Sequence, residues 1–190
     1  MTDIISNVTT IPLVDKSVKN EKNIPAMTFI EDVPEWCSKY GHEQLVEEIN
    51  IFLNKYKYME AQTLKHSESI KQKLPDIEKA LESVVYIKDK HIAKDESDLN
   101  VDFMVAHNLW AKAKVPVSET VCLWLGADIM CEYSHNDAID LLNKNLNNAK
   151  NTLKNNETTI DFLRDQITIC EVNMSRAYNE YVEKQKKEKK

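Results

Sequence analysis

The sequence predicts a mainly α chain: a long antiparallel two-helix coiled coil with two β-hairpins between its helices. The hairpin strands are expected to join a sheet or barrel shared between subunits. Three observations lead there. Only 2 Gly and 5 Pro occur among 190 residues, so long helices can run unbroken. Two segments of equal length carry apolar residues at an average spacing of 3.5, the period of a coiled-coil seam. Between them the period drops to 2, the period of a strand.

Taken in order, residues 1–22 are mixed in composition and are expected to be disordered, and residues 23–182 form one domain. The first long helix is placed at about residues 43–94. From Ile49, steps of three and four reach Phe52, Tyr56, Met59, Thr63, His66, Ile70, Lys73, Ile77, Ala80, Val84 and Ile87. Thr63, His66 and Lys73 break the apolar series. Pro75 removes an amide donor and frees the carbonyl near residue 71, which predicts a kink or bulge rather than a stop. Leu74 and Leu81 flank the seam there. Trp36 lies in a Pro-containing segment ahead of this helix, with no role assigned.

Two hairpins occupy about residues 99–133. Val101, Phe103 and Val105 alternate with Asp102, Met104 and Ala106, and after His107-Asn108 the alternation resumes through Leu109, Ala111, Ala113 and Val115. Pro116 and Ser118 mark a break. Thr120–Leu125 is apolar on both faces, and a turn at Gly126-Ala127-Asp128 leads to Ile129–Tyr133. The second helix is placed at residues 135–182, with Ser134 and Asp137 approximating a capping box at its start. Its seam runs Ile139, Leu142, Leu146, Ala149, Leu153, Asn156, Ile160, Leu163, Ile167, Cys170, Met174, Ala177 and Tyr181, broken only by Asn156. Asn is a mediocre helix former, and residues 143–156 are rich in it, so a partner must hold this helix. Run backwards, the second seam matches the first, aligning Ile87 with Ile139 and Ile49 with Ala177. Asn156 is a candidate for specifying that register, or else the seam is loose and partly wet at Thr63, His66 and Lys73. Residues 183–190, with five Lys and two Glu, read as a solvated basic tail.

Several function classes are excluded. A net charge of −6 opposes nucleic-acid binding over the whole surface, and no apolar run approaches a membrane span. Cys37, Cys122, Cys131 and Cys170 lie too far apart for a zinc pattern and read as free thiols. The five His are scattered, and no phosphate loop, dinucleotide fingerprint or nucleophile elbow is present. An enzyme, a cofactor and a metal are therefore not expected. About 35 residues of short strands cannot enclose a core, and their edges would template aggregation unless other chains cover them. An obligate oligomer follows.

The segments Asn23-Ile24-Pro25, Lys55–Glu60, Leu123–Asp128 (LWLGAD), Asp161–Gln166 and Glu171–Asn179 (EVNMSRAYN) resemble those of α-type prefoldin subunits, across roughly residues 23–182. Pro75 stands where that family carries a Leu/Ile-Pro pair. The resemblance implies a heterohexamer of two α-type and four β-type subunits, with hairpins building a double β-barrel and coiled coils hanging from it. It further implies capture of unfolded actin and tubulin at the coiled-coil tips and transfer to the cytosolic chaperonin without ATP. The expected setting is the cytoplasm, with room for a nuclear pool. On this reading Phe52, Tyr56, Met174, Tyr178 and Tyr181 offer apolar surface to clients near the frayed helix ends. For Phe52, Tyr56 and Met174 the plainer reading is that they fill the seam. Trp110, Val121, Leu123, Trp124 and Leu125 are expected at the subunit interface. The rival reading is a structural coiled-coil adaptor or tether in another hetero-oligomeric complex.

Overall fold

A computed structural model describes residues 11–15, 17–18, 20, 22–93 and 99–188. The chain is mainly helical, with antiparallel hairpins between two long helices. It divides into two compact units, one made of Met1–Ser69 with Thr152–Lys190 and one of Ile70–Asn151. We call them the terminal unit and the hairpin unit.

The terminal unit begins with two short strands, β1 (Val14–Asp15) and β2 (Ala26–Met27), paired antiparallel with Val14 opposite Met27. Thr28 donates its amide to the Leu13 carbonyl at 2.8 Å, extending that ladder by one bond. Ile11 and Leu13 are fully buried, so part of the segment expected to be disordered belongs to the core. Residues 1–10, 16, 19 and 21 of that expectation lie outside the described residues. Helix α1 (Val33–Tyr40) follows, in a stretch to which the sequence reading assigned no element. Its signals are local. Asp32 accepts the Glu35 amide at 3.1 Å, Pro34 sits in the first turn, and Gly41 ends it at φ 82°. Pro early and Gly just past the end is the normal asymmetry of a helix.

Helix α2 (His42–Ile92) and helix α3 (His135–Glu188) each pass through both units. In the terminal unit their segments run antiparallel, tied by Lys57–Glu171 at 2.9 Å and Arg164–Glu60 at 3.0 Å. These pairs agree with the register that aligns Ile49 with Ala177. Leu45, Ile49, Phe52, Tyr56, Leu163, Cys170 and Ala177 form the core between them. The seam departs from the sequence reading at one place: Ser67, not His66, is buried beside Thr63. Both hydroxyls turn inward and bond to carbonyls four residues back, Thr63 to Met59 and Ser67 to Thr63. Self-satisfied hydroxyls can be buried where a histidine ring would need a partner. Helix α3 continues to Glu188, so most of the expected tail is helical, and residues 189–190 lie outside the described residues.

In the hairpin unit α2 runs through Pro75 without stopping. Leu74 is half-buried and Lys73 exposed, which moves the inward face one residue on from the seam expected before the proline. Strands β3 (Leu99–Ala106) and β4 (Leu109–Val115) form one hairpin, and β5 (Thr120–Gly126) and β6 (Ile129–Ser134) the other. The second turn has three successive positive φ values, at Gly126 (98°), Ala127 (49°) and Asp128 (59°). Two central residues at positive φ give the twist that suits a two-residue hairpin loop. Among the described residues each sheet has two strands and no barrel closes within the chain. Ser134 caps α3: its hydroxyl accepts the Asp137 amide at 3.2 Å and donates to the Asp137 carboxylate at 2.7 Å. Lys150 pairs with Glu78 at 3.2 Å, antiparallel again.

Candidate functional site

The two hairpins differ in what they bury. In β5–β6, cross-strand pairs share a face, which puts Val121 with Tyr133 and Leu123 with Cys131 on one side. Val121, Leu123 and Tyr133 pack on Val84, Ala138 and Leu142 of the helices. The other side carries Trp124 opposite Met130, both exposed, Trp124 by 60%. An apolar run with both faces occupied thus has a helix to meet only one of them. Leu125, beside the bulge between Trp124 and Gly126, is also exposed.

The β3–β4 hairpin is bare. Phe103, Val105 and Leu109 are exposed, as are Met104 and its cross-strand partner Trp110, at 61%. A monomer seldom shows contiguous apolar area beyond a few hundred Å², and a hairpin on its own is marginal in water. Among the described residues, nothing covers the outward faces of these two hairpins. Of the residues expected at an interface, Trp110, Trp124 and Leu125 face outward, whereas Val121 and Leu123 serve the helix contact.

The terminal unit holds the other candidate residues. Phe52 is 1% exposed and Tyr56 is fully buried, with ring centroids 6.4 Å apart. Met174 is half-buried against the same cluster. Tyr181 stacks on His42 at 4.5 Å, and Tyr178 stands 61% exposed outside that core. The expectation that all five offer surface together therefore does not hold for Phe52 and Tyr56. The segment covering them is the chain's own residues 24–33, whose Ile24, Met27, Ile30 and Val33 are buried.

That segment is held mostly by its main chain. Gln166 Oε1 accepts the Met27 amide at 2.7 Å. Asn173 Oδ1 accepts the Ile30 amide at 3.1 Å, while its Nδ2 donates to the Thr28 carbonyl at 2.9 Å. Arg176 donates to the carbonyls of Ile30 and Glu31, the latter at 2.7 Å, and lies over the Phe29 ring. The Tyr56 hydroxyl donates to the Pro25 carbonyl at 2.9 Å. Lys22 reaches Asn156 Oδ1 at 3.0 Å, so the one polar residue of the α3 seam is buried with a partner for its oxygen. Burial raises the Tyr56 hydroxyl pKa well above its ordinary value, with Cys170 nearby adding to it. Burial also pushes the Cys170 thiol up to about 12. A thiol so shielded is inert.

Sequence reasoning missed Gln166, Asn173 and Arg176. A signal was present, because Thr159, Gln166 and Asn173 repeat every seven residues on α3, and all three are buried. That polar heptad stripe runs beside the apolar one. Among the described residues no group of three His, Cys, Asp or Glu is placed to hold a metal, and no helix is long and apolar enough to cross a membrane.

Known proteins resemble this chain over most of its length. The family model described as "Prefoldin subunit" matches residues 56–180. The chain is 38% identical to prefoldin subunit 3 of Mus musculus, over 87% of this chain and 85% of the mouse protein. It is 34% identical to prefoldin subunit 3 of Drosophila melanogaster over 97% of this chain and 93% of the fly protein. With the probable prefoldin subunit 3 of Schizosaccharomyces pombe it shares 36% identity, covering 91% of this chain and 99% of the yeast protein.

Proposed function

The chain belongs to the prefoldin family, and we propose that it works as an α-type subunit of a heterohexameric co-chaperone with one further α-type and four β-type subunits. Membership of that family supports a co-chaperone role and assembly with other prefoldin subunits. The observation that carries the assembly step is the pair of hairpins whose outward faces, Trp110 with Met104 and Trp124 with Met130, no other described residue of the chain covers. Strands of neighbouring subunits supply that cover and satisfy the open strand edges.

In this proposal the assembled complex captures unfolded polypeptides, actin and tubulin chains among them, and passes them to the cytosolic chaperonin in the cytoplasm without hydrolysing ATP. Each subunit contributes a weak contact from its terminal unit, where Tyr178 and Tyr181 retain exposed ring surface. Amphipathic rings and flexible Met side chains suit loose, adaptable binding. Six such contacts on one platform raise the effective concentration of every site once the first has bound, so capture is firm although each contact is weak.

The experiment is an aggregation-suppression assay on unfolded actin with the reconstituted complex. Suppression at about one complex per actin chain is the expected result. A complex that assembles and leaves actin aggregation unchanged would turn the reading to a structural adaptor.

A further inference from the structure

The terminal unit holds residues 24–33 in the way a receptor holds a peptide, and the spacing explains how. Gln166 and Asn173 stand seven residues apart on α3, a rise of roughly 10.5 Å. Met27 and Ile30, whose amides they accept, are three residues apart. Three extended residues span roughly 10 Å, so one heptad of helix matches three residues of extended chain. The apolar anchors Ile24, Met27, Ile30 and Val33 repeat at that same interval of three and are all buried. The bonds from Gln166, Asn173, Arg176 and Tyr56 go to amides and carbonyls, which every polypeptide carries. Main-chain bonds supply affinity without sequence choice, and apolar side chains supply the anchor, as in other modes of extended-peptide recognition.

We propose that this groove on α3 is a binding site for an extended, apolar segment of a non-native polypeptide, and that residues 22–33 are its resident ligand. A captured segment displaces the resident one and takes its bonds to Gln166, Asn173 and Arg176. Leaving the groove empty would bare Tyr56, Phe52 and Leu53, so the resident segment shields the site until a client arrives. The apparent affinity for a client is then lowered by the fraction of time the groove is filled from within. This inference rests on the co-chaperone reading above and deepens it by naming the site and the form of the ligand.

Two measurements on the assembled complex test it. The first follows hydrogen exchange at the Met27 and Ile30 amides, before and after unfolded actin binds. Loss of protection at both amides on binding is the expected result. Bound actin with their protection unchanged overturns the groove as the site and leaves the co-chaperone reading standing. A complex that binds no actin overturns both. The second titrates a synthetic peptide of residues 22–33 against complexes carrying the native chain or the M27D/I30D double variant, which loosens the resident segment and leaves the groove intact. Peptide affinity is expected to rise at least tenfold in the variant. An equal or weaker affinity overturns the exchange. Should the variant fail to assemble, the exchange measurement on the native complex decides alone.

Discussion

At the scale of single residues, burial decides more than residue type. Phe52 and Tyr56 fall on the seam that the sequence displays, and they are part of the core. That they lie beneath Ile24, Met27 and Ile30 was not legible, because a seam of period 3.5 does not say what covers its flank. The covering segment was hidden for a related reason: its interval of three matches neither a strand nor a coiled coil. Cys170 gives a direct check of this packing. Its thiol, held at about 12, stays protonated in the folded chain, while an unfolded cysteine ionises near the ordinary value of 9.0. The unfolded state therefore binds fewer protons between those values, so the contribution of Cys170 to stability is complete below pH 9 and is lost progressively as pH rises toward 12. Tyr56, raised in the same direction, adds to that loss above its ordinary value of 10.0. With a thiol reagent at pH 8 acting on the chain free of its partners, exposed Cys122 is expected to label within minutes and Cys170 only at the rate of unfolding, as read by mass spectrometry of the labelled peptides. Equal labelling of the two would contradict the buried core.

At the scale of elements, the sequence marked starts and turns well where a side chain acts on its own neighbourhood. Ser134 and Asp137 form the cap expected of them, and the Gly126-Ala127-Asp128 turn closes where expected. Replacing Ser134 by Ala is expected to cost about 1 kcal/mol, read as a shift in chemical denaturation of the chain. No shift would mean that α3 is started by its packing on the hairpin and not by its cap. Helix α1 was legible and overlooked, since Asp32, Pro34 and Gly41 are ordinary signals of a helix start and stop. Its length of 8 residues, beside much longer seams, hid it. The exchange of His66 for Ser67 on the buried face had no sequence signal, because a hydroxyl bonded to its own helix is polar by type and satisfied by place.

At the scale of the whole molecule, the two long helices, the hairpins between them and the need for partners were all legible from periodicity and the shortage of Gly. The resemblance carried by LWLGAD and EVNMSRAYN agrees with the family to which the chain belongs. Within EVNMSRAYN, Asn173 and Arg176 bind the main chain of residues 28–31, which gives that segment a physical role. The interface residues split as geometry requires. Trp124→Ala removes a side chain of roughly 150–250 Å² from a face that stands exposed, and is expected to lower recovery of the complex at least tenfold. Leu123→Ala acts instead on the helix contact, where the side chain is half-buried, and is expected to lower stability by about 1–3 kcal/mol. The central claim is that the hairpins are incomplete without neighbours. Native mass spectrometry of the full chain, tagged and purified from its own cells, tests it most directly. A single assembly of this chain with five different companions is the expected mass, and a stable monomer or an assembly of this chain alone would contradict the account.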